Sequence, residues 1–511
     1  MLTAILLGTL AASAIDGATC DSLRSLSLPD TTILSASLIP TGPFTPSPTP
    51  IAQNPRSTQI PVAACRVAGV IKPAANFEVW MPAANWNGKF QGVGGGGFAG
   101  VISYGAIATA LSRGYATAST DTGHNSAGGA WALGHPELIV DFAYRAIHEM
   151  TVKSKQVVEA FYGNAPAKSY FVGCSTGGRQ GLMEAQRFPA DYDGIVAGAP
   201  ANYWTHLMAG TLAPAAATLK DDSTRLSPAN YAALNNGALA ACDASDGVTD
   251  GLINNPLACK FDPGTLACRG GSSLSTVAPG AKVEGSSDTE ACLTAPQVDA
   301  ARKIYASSTN PRTKDKIFPG FAPGSEITWT ATAGGTQPFA IPVDFFKYFV
   351  FSNADWDWKT LNFDKDVATT DEKFGGLMNA IDPDLGPFEK RGGKLIMYHG
   401  WNDQLIQPYN SIDYFTSVTK KMGTKEADDF ARLFMVPGMQ HCAGGIGPNT
   451  FDAVTALEQW VEKGAKPAQI VATHRSSGGD IDRSRPLCSY PQVATYKGTG
   501  SIDEAVNFVC K

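Results

Sequence analysis

The sequence has few charged residues and no long apolar run. Charged side chains make up 17% of the 511 residues, and the net charge is −6. This balance provides no positive field for nucleic acid or an anionic membrane, so we expect neither partner. No uninterrupted apolar stretch reaches the ~20 residues that span a bilayer, so no membrane span is expected. Hydrophobic residues amount to 44%, which is typical of a globular protein with a large core.

No C-x-x-C pair occurs among the ten cysteines, which argues against the common zinc and redox motifs. An even set without metal spacing predicts a disulfide framework, formed in an oxidising compartment. Residues 1–14 are apolar and end in an A-x-A pattern, which favours a signal peptide although no Lys or Arg precedes the apolar stretch. We therefore expect a secreted or periplasmic protein. The cysteines are Cys20, Cys65, Cys174, Cys242, Cys259, Cys268, Cys292, Cys442, Cys488 and Cys510.

Strand-like and helix-like segments alternate in two separate parts of the chain. This alternation predicts an α/β fold with a mainly parallel sheet covered on both faces. Residues 203–380 interrupt the pattern and are rich in Gly, Pro and Ser, so we interpret them as an inserted lid. Residues 15–202 and 381–511 then form the core domain. The segment 21–62 is rich in Ser, Thr and Pro and is predicted to be irregular.

Residues 173–177 match G-x-S-x-G between a strand-like run and a helix-like run. A serine on such a tight turn has its hydroxyl pushed clear of the backbone, which makes Ser175 a candidate nucleophile. The N–H of Thr176 then points to where an oxyanion would form. The alternative is an ordinary glycine-rich loop, so partners for the serine are needed.

Two later strand-like runs are each followed by a residue type that the serine needs. Asp403 follows the run at 394–398, and His441 follows the run at 433–436. The chain order Ser, Asp, His is that of α/β-hydrolases, whose reactive groups lie at the carboxyl ends of parallel strands. His441 is predicted to act as the general base and Asp403 to orient it.

The glycines at 94–97 follow an early strand-like run, where hydrolases of this kind place a second oxyanion donor. Gly96 is the first choice for this donor and Gly95 the second. Cys174 precedes the nucleophile and Cys442 follows the base. If Ser175 and His441 meet, these cysteines are close enough for a disulfide. The alternative reading makes Cys174 a free nucleophile.

The lid contains an acidic loop at 242–252 with aspartates at short steps and two glycines. A tightly curved loop that offers carboxylate and carbonyl oxygens suits Ca²⁺, although the loop lacks the final glutamate of an EF-hand. The alternative is a solvated acidic turn. The predicted ligands are Asp243, Asp246 and Asp250 together with the backbone carbonyls of Val248 and Leu252.

The sequence resembles the tannase and feruloyl esterase family, which also includes mono-hydroxyethyl-terephthalate hydrolases. The resemblance is carried by the segments at 173–181, 188–194, 398–403 and 438–442. It implies an α/β-hydrolase core, a large lid, the Cys174–Cys442 bridge and a structural calcium. It further implies the pairs Cys20–Cys65, Cys242–Cys259, Cys268–Cys292 and Cys488–Cys510.

The expected activity is hydrolysis of aromatic carboxylic esters, most of all feruloyl and other hydroxycinnamoyl esters, free or attached to plant polysaccharide or polyphenol. Tannase activity on galloyl esters and hydrolysis of terephthalate monoesters are the alternatives within the class. A non-catalytic hydrolase-fold binding module is the alternative outside it, and an acyltransferase would use the same triad. The predicted substrate contacts are His399, Ile406, Trp356 and Phe346.

Overall fold

The computed structural model describes residues 18–47, 56–126, 128–268 and 292–511, so the predicted signal peptide at 1–14 lies outside the described residues. The strands are β1 (Thr31–Ile39), β2 (Gly42–Phe44), β3 (Thr58–Ile60), β4 (Ala64–Ile71), β5 (Ala75–Pro82), β6 (Lys89–Val93), β7 (Ala116–Thr120), β8 (Lys168–Cys174), β9 (Gly194–Gly198), β10 (Ser308–Thr309), β11 (Lys316–Phe318), β12 (Lys394–Gly400), β13 (Ala431–Val436), β14 (Gln469–Arg475), β15 (Ile481–Cys488), β16 (Ala494–Tyr496) and β17 (Phe508–Cys510).

Nine of these strands form one sheet in the order β1-β4-β5-β7-β6-β8-β9-β12-β13. Neighbours from β7 to β13 are parallel, whereas β1, β4 and β5 are joined to one another and to β7 by antiparallel pairing. Parallel neighbours end at the same edge of the sheet, which brings the loops after β6, β8, β12 and β13 together. The predicted α/β class and mainly parallel sheet are therefore confirmed.

Some helices cover the two faces of this sheet, and others belong to residues 203–380. They are α1 (Tyr104–Ser112), α2 (Pro136–Val140), α3 (Ala146–Tyr162), α4 (Thr176–Arg187), α5 (Trp204–Thr218), α6 (Pro228–Cys242), α7 (Ala295–Tyr305), α8 (Ala340–Asp344), α9 (Lys365–Thr370), α10 (Gly376–Met378), α11 (Gly386–Lys390), α12 (Tyr409–Met422), α13 (Thr424–Phe430) and α14 (Ala453–Lys463). Within the described residues no helix combines the length and apolarity needed to cross a membrane.

Successive residues of the central strands pack into different cores. Ile195 and Leu395 join the cluster that holds buried side chains of α3 and α4, while Val196 and Ile396 join the cluster that holds those of α14. Side chains along a strand alternate between faces, so a strand covered on both sides is apolar throughout. This explains why β9 and β12 appear in the sequence as continuous apolar runs.

A third core joins the sheet domain to residues 203–380, which add none of their described residues to the nine-stranded sheet. It is aromatic: Phe98 and Phe142 from the sheet domain pack with Trp204, Phe345 and Phe349. The helices α2 and α3 follow each other with a π-helical turn at 141–145 between them.

Candidate active site

Ser175 lies on a sharp turn between β8 and α4, as its motif predicts. Its backbone has φ 63° and ψ −124°, a region that non-glycine residues seldom adopt. Two hydrogen bonds hold this conformation: the Ser175 N–H donates to Gly198 O at 2.9 Å, and the Ala201 N–H donates to Ser175 O at 3.0 Å. The strained turn therefore projects the hydroxyl from the carboxyl edge of the sheet.

The glycines around the turn are required by close backbone approach. A Cβ at Gly173 would lie 2.5 Å from the carbonyl carbon of Gly177, and a Cβ at Gly177 would lie 2.9 Å from Gly95 O. Neither distance leaves room for a side chain. The absence of Cβ atoms therefore lets the start of α4 pack directly against β8 and against the loop that follows β6.

Asp403 and His441 meet as predicted, on the loops after β12 and β13. His441 Nδ1 donates to Asp403 Oδ2 at 2.8 Å, and the side chain of His441 is 14% exposed while that of Asp403 is fully buried. Asp403 Oδ1 accepts the N–H groups of Leu405 and Ile406 at 2.8 and 2.9 Å. These bonds fix the carboxylate so that His441 Nε2 remains available on the pocket side.

The carboxyl of Asp403 stays ionised despite its burial. Burial alone would raise its pKa, but the charge of His441 and the hydrogen bonds from His399 and His441 outweigh burial and hold the pKa well below its ordinary value. A permanently charged carboxylate keeps the Nδ1–H tautomer of His441 and stabilises the imidazolium that forms when His441 accepts a proton.

His399 does not line the substrate pocket, so that prediction is wrong. Its side chain is fully buried behind Asp403, with Nε2 3.1 Å from Asp403 Oδ2 and 3.0 Å from Ile406 O, and with Nδ1 2.7 Å from Ser411 Oγ. Both partners of Nε2 are acceptors, so Nε2 carries a proton and donates to them, while Nδ1 is hydrogen-bonded to the Ser411 hydroxyl. His399 therefore supports Asp403 from the side away from the pocket.

Cys174 and Cys442 form a disulfide with their Cα atoms 5.9 Å apart, across a sequence separation of 268 residues. The bridge links the residue before Ser175 to the residue after His441. The other four bridges are the pairs that the family resemblance implies, and no free cysteine remains among the described residues: Cys20–Cys65, Cys242–Cys259, Cys268–Cys292 and Cys488–Cys510.

Two backbone N–H groups are available for an oxyanion beside Ser175. Thr176 is the first residue of α4, so its N–H has no acceptor within the helix. Gly96 lines the pocket, and its N–H meets no acceptor in the described part of the chain. Gly95 is excluded as the donor, because its N–H donates to Gln180 Oε1 at 3.0 Å. This bond and a second one, from Thr176 Oγ1 to Gly97 O at 2.6 Å, hold the glycine loop over α4.

Ser175 and His441 line one pocket of about 320 Å³ between the sheet edge and the lid. Its remaining walls are mostly apolar, and none of the described residues that line it is a Lys, Arg, Asp or Glu. The lining residues other than Ser175 and His441 are Gly96, Gly97, Cys174, Thr176, Ala201, Trp204, Leu207, Met208, Thr211, Phe339, Ile341, Pro342, Leu405, Ile406 and Cys442.

Of the remaining predicted substrate contacts, one lines the pocket and two do not. Ile406 lines the pocket, whereas Phe346 is fully buried in the aromatic core and Trp356 lines a separate groove on the lid. Phe346 and Trp356 stack on each other with ring centroids 5.2 Å apart, so the pair serves lid packing. Sequence reasoning missed the wall formed by α5 and α8, because no motif distinguishes pocket side chains from core side chains in an apolar helix.

The acidic loop at 242–252 folds around its own carboxylates. Asp243 accepts the backbone N–H groups of Asp250 and Gly251 at 3.2 and 2.9 Å, and Asp246 accepts the N–H of Val248 at 3.1 Å. Arg485, which is buried with the Asp250 side chain, donates to Asp250 Oδ2 at 2.5 Å. Burial raises the pKa of Asp246 to about 6; the N–H of Val248 opposes this rise, and the charges of Asp250 and Asp243 add to it.

The oxygen atoms of this loop fit a hard divalent cation in type. The buried carbonyls of Val248 and Leu252 accept no hydrogen bond from the described residues, and the buried Asn254 Oδ1 likewise lacks a donor. In the described part of the chain, the carboxylate oxygens of the loop's three aspartates do not all lie within 4.8 Å of one another. The loop must therefore tighten to hold an ion with all three. Neither Asn254 nor Arg485 was predicted, since both lie outside the acidic pattern.

Comparison with known proteins gives a consistent result over nearly the whole chain. The family model described as "Tannase and feruloyl esterase" matches residues 60–511. The chain is 37% identical to an uncharacterized esterase of Xanthomonas campestris pv. campestris, over 99% of this chain and 93% of that protein. It is 34% identical to a probable feruloyl esterase B-2 of Neosartorya fischeri, over 87% and 86%. The crystal structure of feruloyl esterase B from Aspergillus oryzae superposes with a TM-score of 0.89 at 30% identity, over 96% and 99%.

Proposed function

Since this chain belongs to the tannase and feruloyl esterase family and is a carboxylic ester hydrolase, we propose that it is a secreted serine esterase for aromatic esters, with hydroxycinnamoyl esters as its main substrates. One observation carries the proposal: Ser175 and His441 line the same apolar pocket, and His441 donates to a buried, ionised Asp403. This is the arrangement that acyl transfer through a serine nucleophile requires.

In the proposed mechanism Ser175 attacks the ester carbonyl while His441 Nε2 takes the hydroxyl proton. The N–H groups of Thr176 and Gly96 stabilise the negative charge on the carbonyl oxygen in the tetrahedral intermediate. His441 then returns the proton to the leaving alcohol, and an acyl-enzyme remains on Ser175. A water molecule deprotonated by His441 attacks this ester, and the acid leaves as Ser175 recovers its proton.

The chemistry of the pocket wall favours a hydroxycinnamoyl group over the two alternatives. A terephthalate monoester carries a free carboxylate that needs a cation, and none of the described lining residues is a Lys or Arg. A galloyl ring carries three hydroxyl groups that need several polar partners. Away from Ser175, Thr176 and His441 the wall offers one hydroxyl side chain, that of Thr211, which matches a ring with few polar groups.

The same proposal includes a structural Ca²⁺ in the lid and export from the cell. The buried residues Asp243 and Asp246, the buried side chain of Asp250 and two buried carbonyls without hydrogen bonds support the ion. A serine triad does not need this ion for the chemical step. Five disulfides support folding in an oxidising compartment.

The test combines active-site labelling with a substrate panel. A fluorophosphonate probe is expected to label the wild-type protein and not the Ser175→Ala variant, with the same melting temperature for both proteins. Methyl ferulate, methyl gallate and a terephthalate monoester are then compared by kcat/KM, and methyl ferulate is expected to be cleaved fastest. Wild-type activity in Ser175→Ala would refute the nucleophile, and a preference for gallate or for the terephthalate monoester would refute the substrate class.

A further inference from the structure

Three potential metal ligands meet at the far end of the nucleophile helix. His148 comes from α3, Glu184 from the last turns of α4, and Asp191 from the loop that leads into β9. Each offers one ligand atom, and these atoms all lie within 4.8 Å of one another. Glu184 is nine residues beyond Ser175, about 13 Å along the helix, so the cluster is separate from the pocket.

Glu184 is the unusual member of this cluster. Its side chain is 1% exposed, and neither carboxylate oxygen receives a hydrogen bond from an N–H or O–H donor in the described part of the chain. Lys155 lies nearby, but its ammonium group donates to the backbone carbonyl of Asp191. A buried carboxylate without a partner is costly, so this group requires a proton or a cation.

His148 and Asp191 give the cluster an open side. The side chain of His148 is 26% exposed and that of Asp191 is 11% exposed, so an ion can reach Glu184 from solvent. The imidazole is held by stacking on Phe188, with ring centroids 3.7 Å apart. His148 Nδ1 and Asp191 Oδ2 are 2.6 Å apart in a hydrogen bond, which a bound cation would replace.

We propose that His148, Glu184 and Asp191 bind a divalent transition-metal ion, for which Zn²⁺ is the best match. One imidazole and two carboxylates are a donor set that Zn²⁺ accepts, with water in the fourth position, whereas Ca²⁺ prefers oxygen atoms alone. The ion ties the end of α4 to α3 and to the loop before β9. It therefore stabilises the helix that carries Ser175 at its other end, and it takes no part in the chemical step.

Zinc binding to the full-length protein tests this inference. The protein is freed of metals with a chelator, returned to excess Ca²⁺ so that the acidic loop is supplied, and titrated with Zn²⁺ by calorimetry. One equivalent is expected to bind and to raise the melting temperature in proportion to the logarithm of the zinc concentration. In His148→Gln and in Glu184→Gln the affinity is expected to fall at least tenfold.

Matched variants separate this site from other zinc binding. Glu149→Gln changes a carboxylate that neighbours His148 in sequence but pairs with Lys153, and it is expected to bind zinc as the wild type does. Zinc binding that survives unchanged in Glu184→Gln belongs to surface histidines and overturns the proposal. The proposal also fails if the wild-type protein binds no zinc. In that case, a Glu184→Gln variant as stable as the wild type or more so would assign the cluster to a proton shared between Glu184 and Asp191.

Discussion

His399 and His441 contact the same oxygen atom of Asp403, Oδ2, at 3.1 and 2.8 Å. His441 approaches from the pocket side and His399 from the buried side. The second imidazole donates through Nε2 and is held at Nδ1 by a hydrogen bond with Ser411, so it fixes the carboxylate in place. We interpret His399 as a positioning residue that acts on the reaction through Asp403.

Replacement of His399 by Ala is expected to lower kcat about ten- to a hundredfold, since one hydrogen bond to a buried charge is lost. KM is expected to change far less, because His399 does not touch the pocket. His399→Asn retains a donor and is expected to recover part of kcat. His474→Ala, which removes a surface histidine, is the control and is expected to leave both constants unchanged. Equal losses in the Ala and Asn variants would contradict a positioning role.

The Asp403→Asn variant is expected to lose about 10⁴-fold in kcat, because Asn favours the wrong tautomer of His441. Its stability relative to the wild type is expected to depend on pH. The folded-state pKa of Asp403 lies below the unfolded value of about 3.9, so the charged carboxylate stabilises the wild type above that pH. This stabilisation is lost as the pH falls through the folded-state pKa.

Urea unfolding of the wild type and of Asp403→Asn at pH 7, 5 and 3 checks the predicted pH dependence of the stability difference. The difference in unfolding free energy between wild type and variant is expected to be constant from pH 7 to 5 and to shrink at pH 3. A difference that grows at low pH would show that the carboxyl of Asp403 is not stabilised in its charged form.

The Cys174–Cys442 bridge is expected to matter more for activity than the other disulfides. Replacing both cysteines with Ala releases the loop of Ser175 from the loop of His441 and lifts a constraint on a very long segment, which costs up to about 5 kcal/mol in the chain-entropy model. The expected result is a large loss of kcat together with a lower melting temperature. The control removes Cys488–Cys510, which closes a loop of 22 residues and is expected to lower stability without affecting kcat. Equal effects on kcat would argue against a role for the bridge in aligning the two loops.

Much of the sheet is readable from the sequence because its inner strands are apolar and short. The strand-like run before the glycines at 94–97 is β6, the run that leads to Ser175 is β8, and the run at 394–398 lies within β12. The triad candidates could be placed for the same reason, since each follows one of these strands. The spacing of the cysteines does not determine how they pair, and the pairs other than Cys174–Cys442 were predicted only from the family resemblance.

Other elements could not be predicted because their sequences obey no simple period. β1 was expected to be irregular, yet it pairs with β4 at the sheet edge, where one side is open to solvent and Ser and Thr are tolerated. The hairpin of β14 and β15 was missed for a similar reason. The pocket wall was mispredicted because aromatic residues of the lid, such as Phe346, pack against one another in a core. The pocket is lined instead by apolar side chains of α5.

Removal of calcium is expected to lower the melting temperature if the acidic loop binds the ion, because native-state binding energy is lost. Asp246→Asn is expected to lower the melting temperature in calcium buffer and to abolish the further effect of a chelator. Asp262→Asn changes an exposed aspartate of the lid that pairs with Arg302 and serves as the control. Calorimetry with and without chelator gives the measurement, and an unchanged melting temperature with no calcium in the purified protein would exclude the site.

Thr211 is expected to distinguish hydroxylated from unsubstituted cinnamoyl esters. It lies seven residues beyond Trp204 on α5, about 10 Å further along the helix, and both residues line the pocket. Its hydroxyl donates to Leu207 O at 2.8 Å, so its lone pairs remain free to accept a phenolic hydroxyl of the substrate.

Thr211→Val keeps the shape of the wall and removes this acceptor. The expected loss in kcat/KM is about two- to tenfold for methyl 4-hydroxycinnamate, which corresponds to one neutral hydrogen bond. No loss is expected for methyl cinnamate, which lacks the hydroxyl group. Thr218→Val, on the same helix but outside the pocket lining, is the matched control. It is expected to leave the ratio of the kcat/KM values for the two esters unchanged. An equal loss with both esters in Thr211→Val would mean that Thr211 shapes the wall without recognising the phenol.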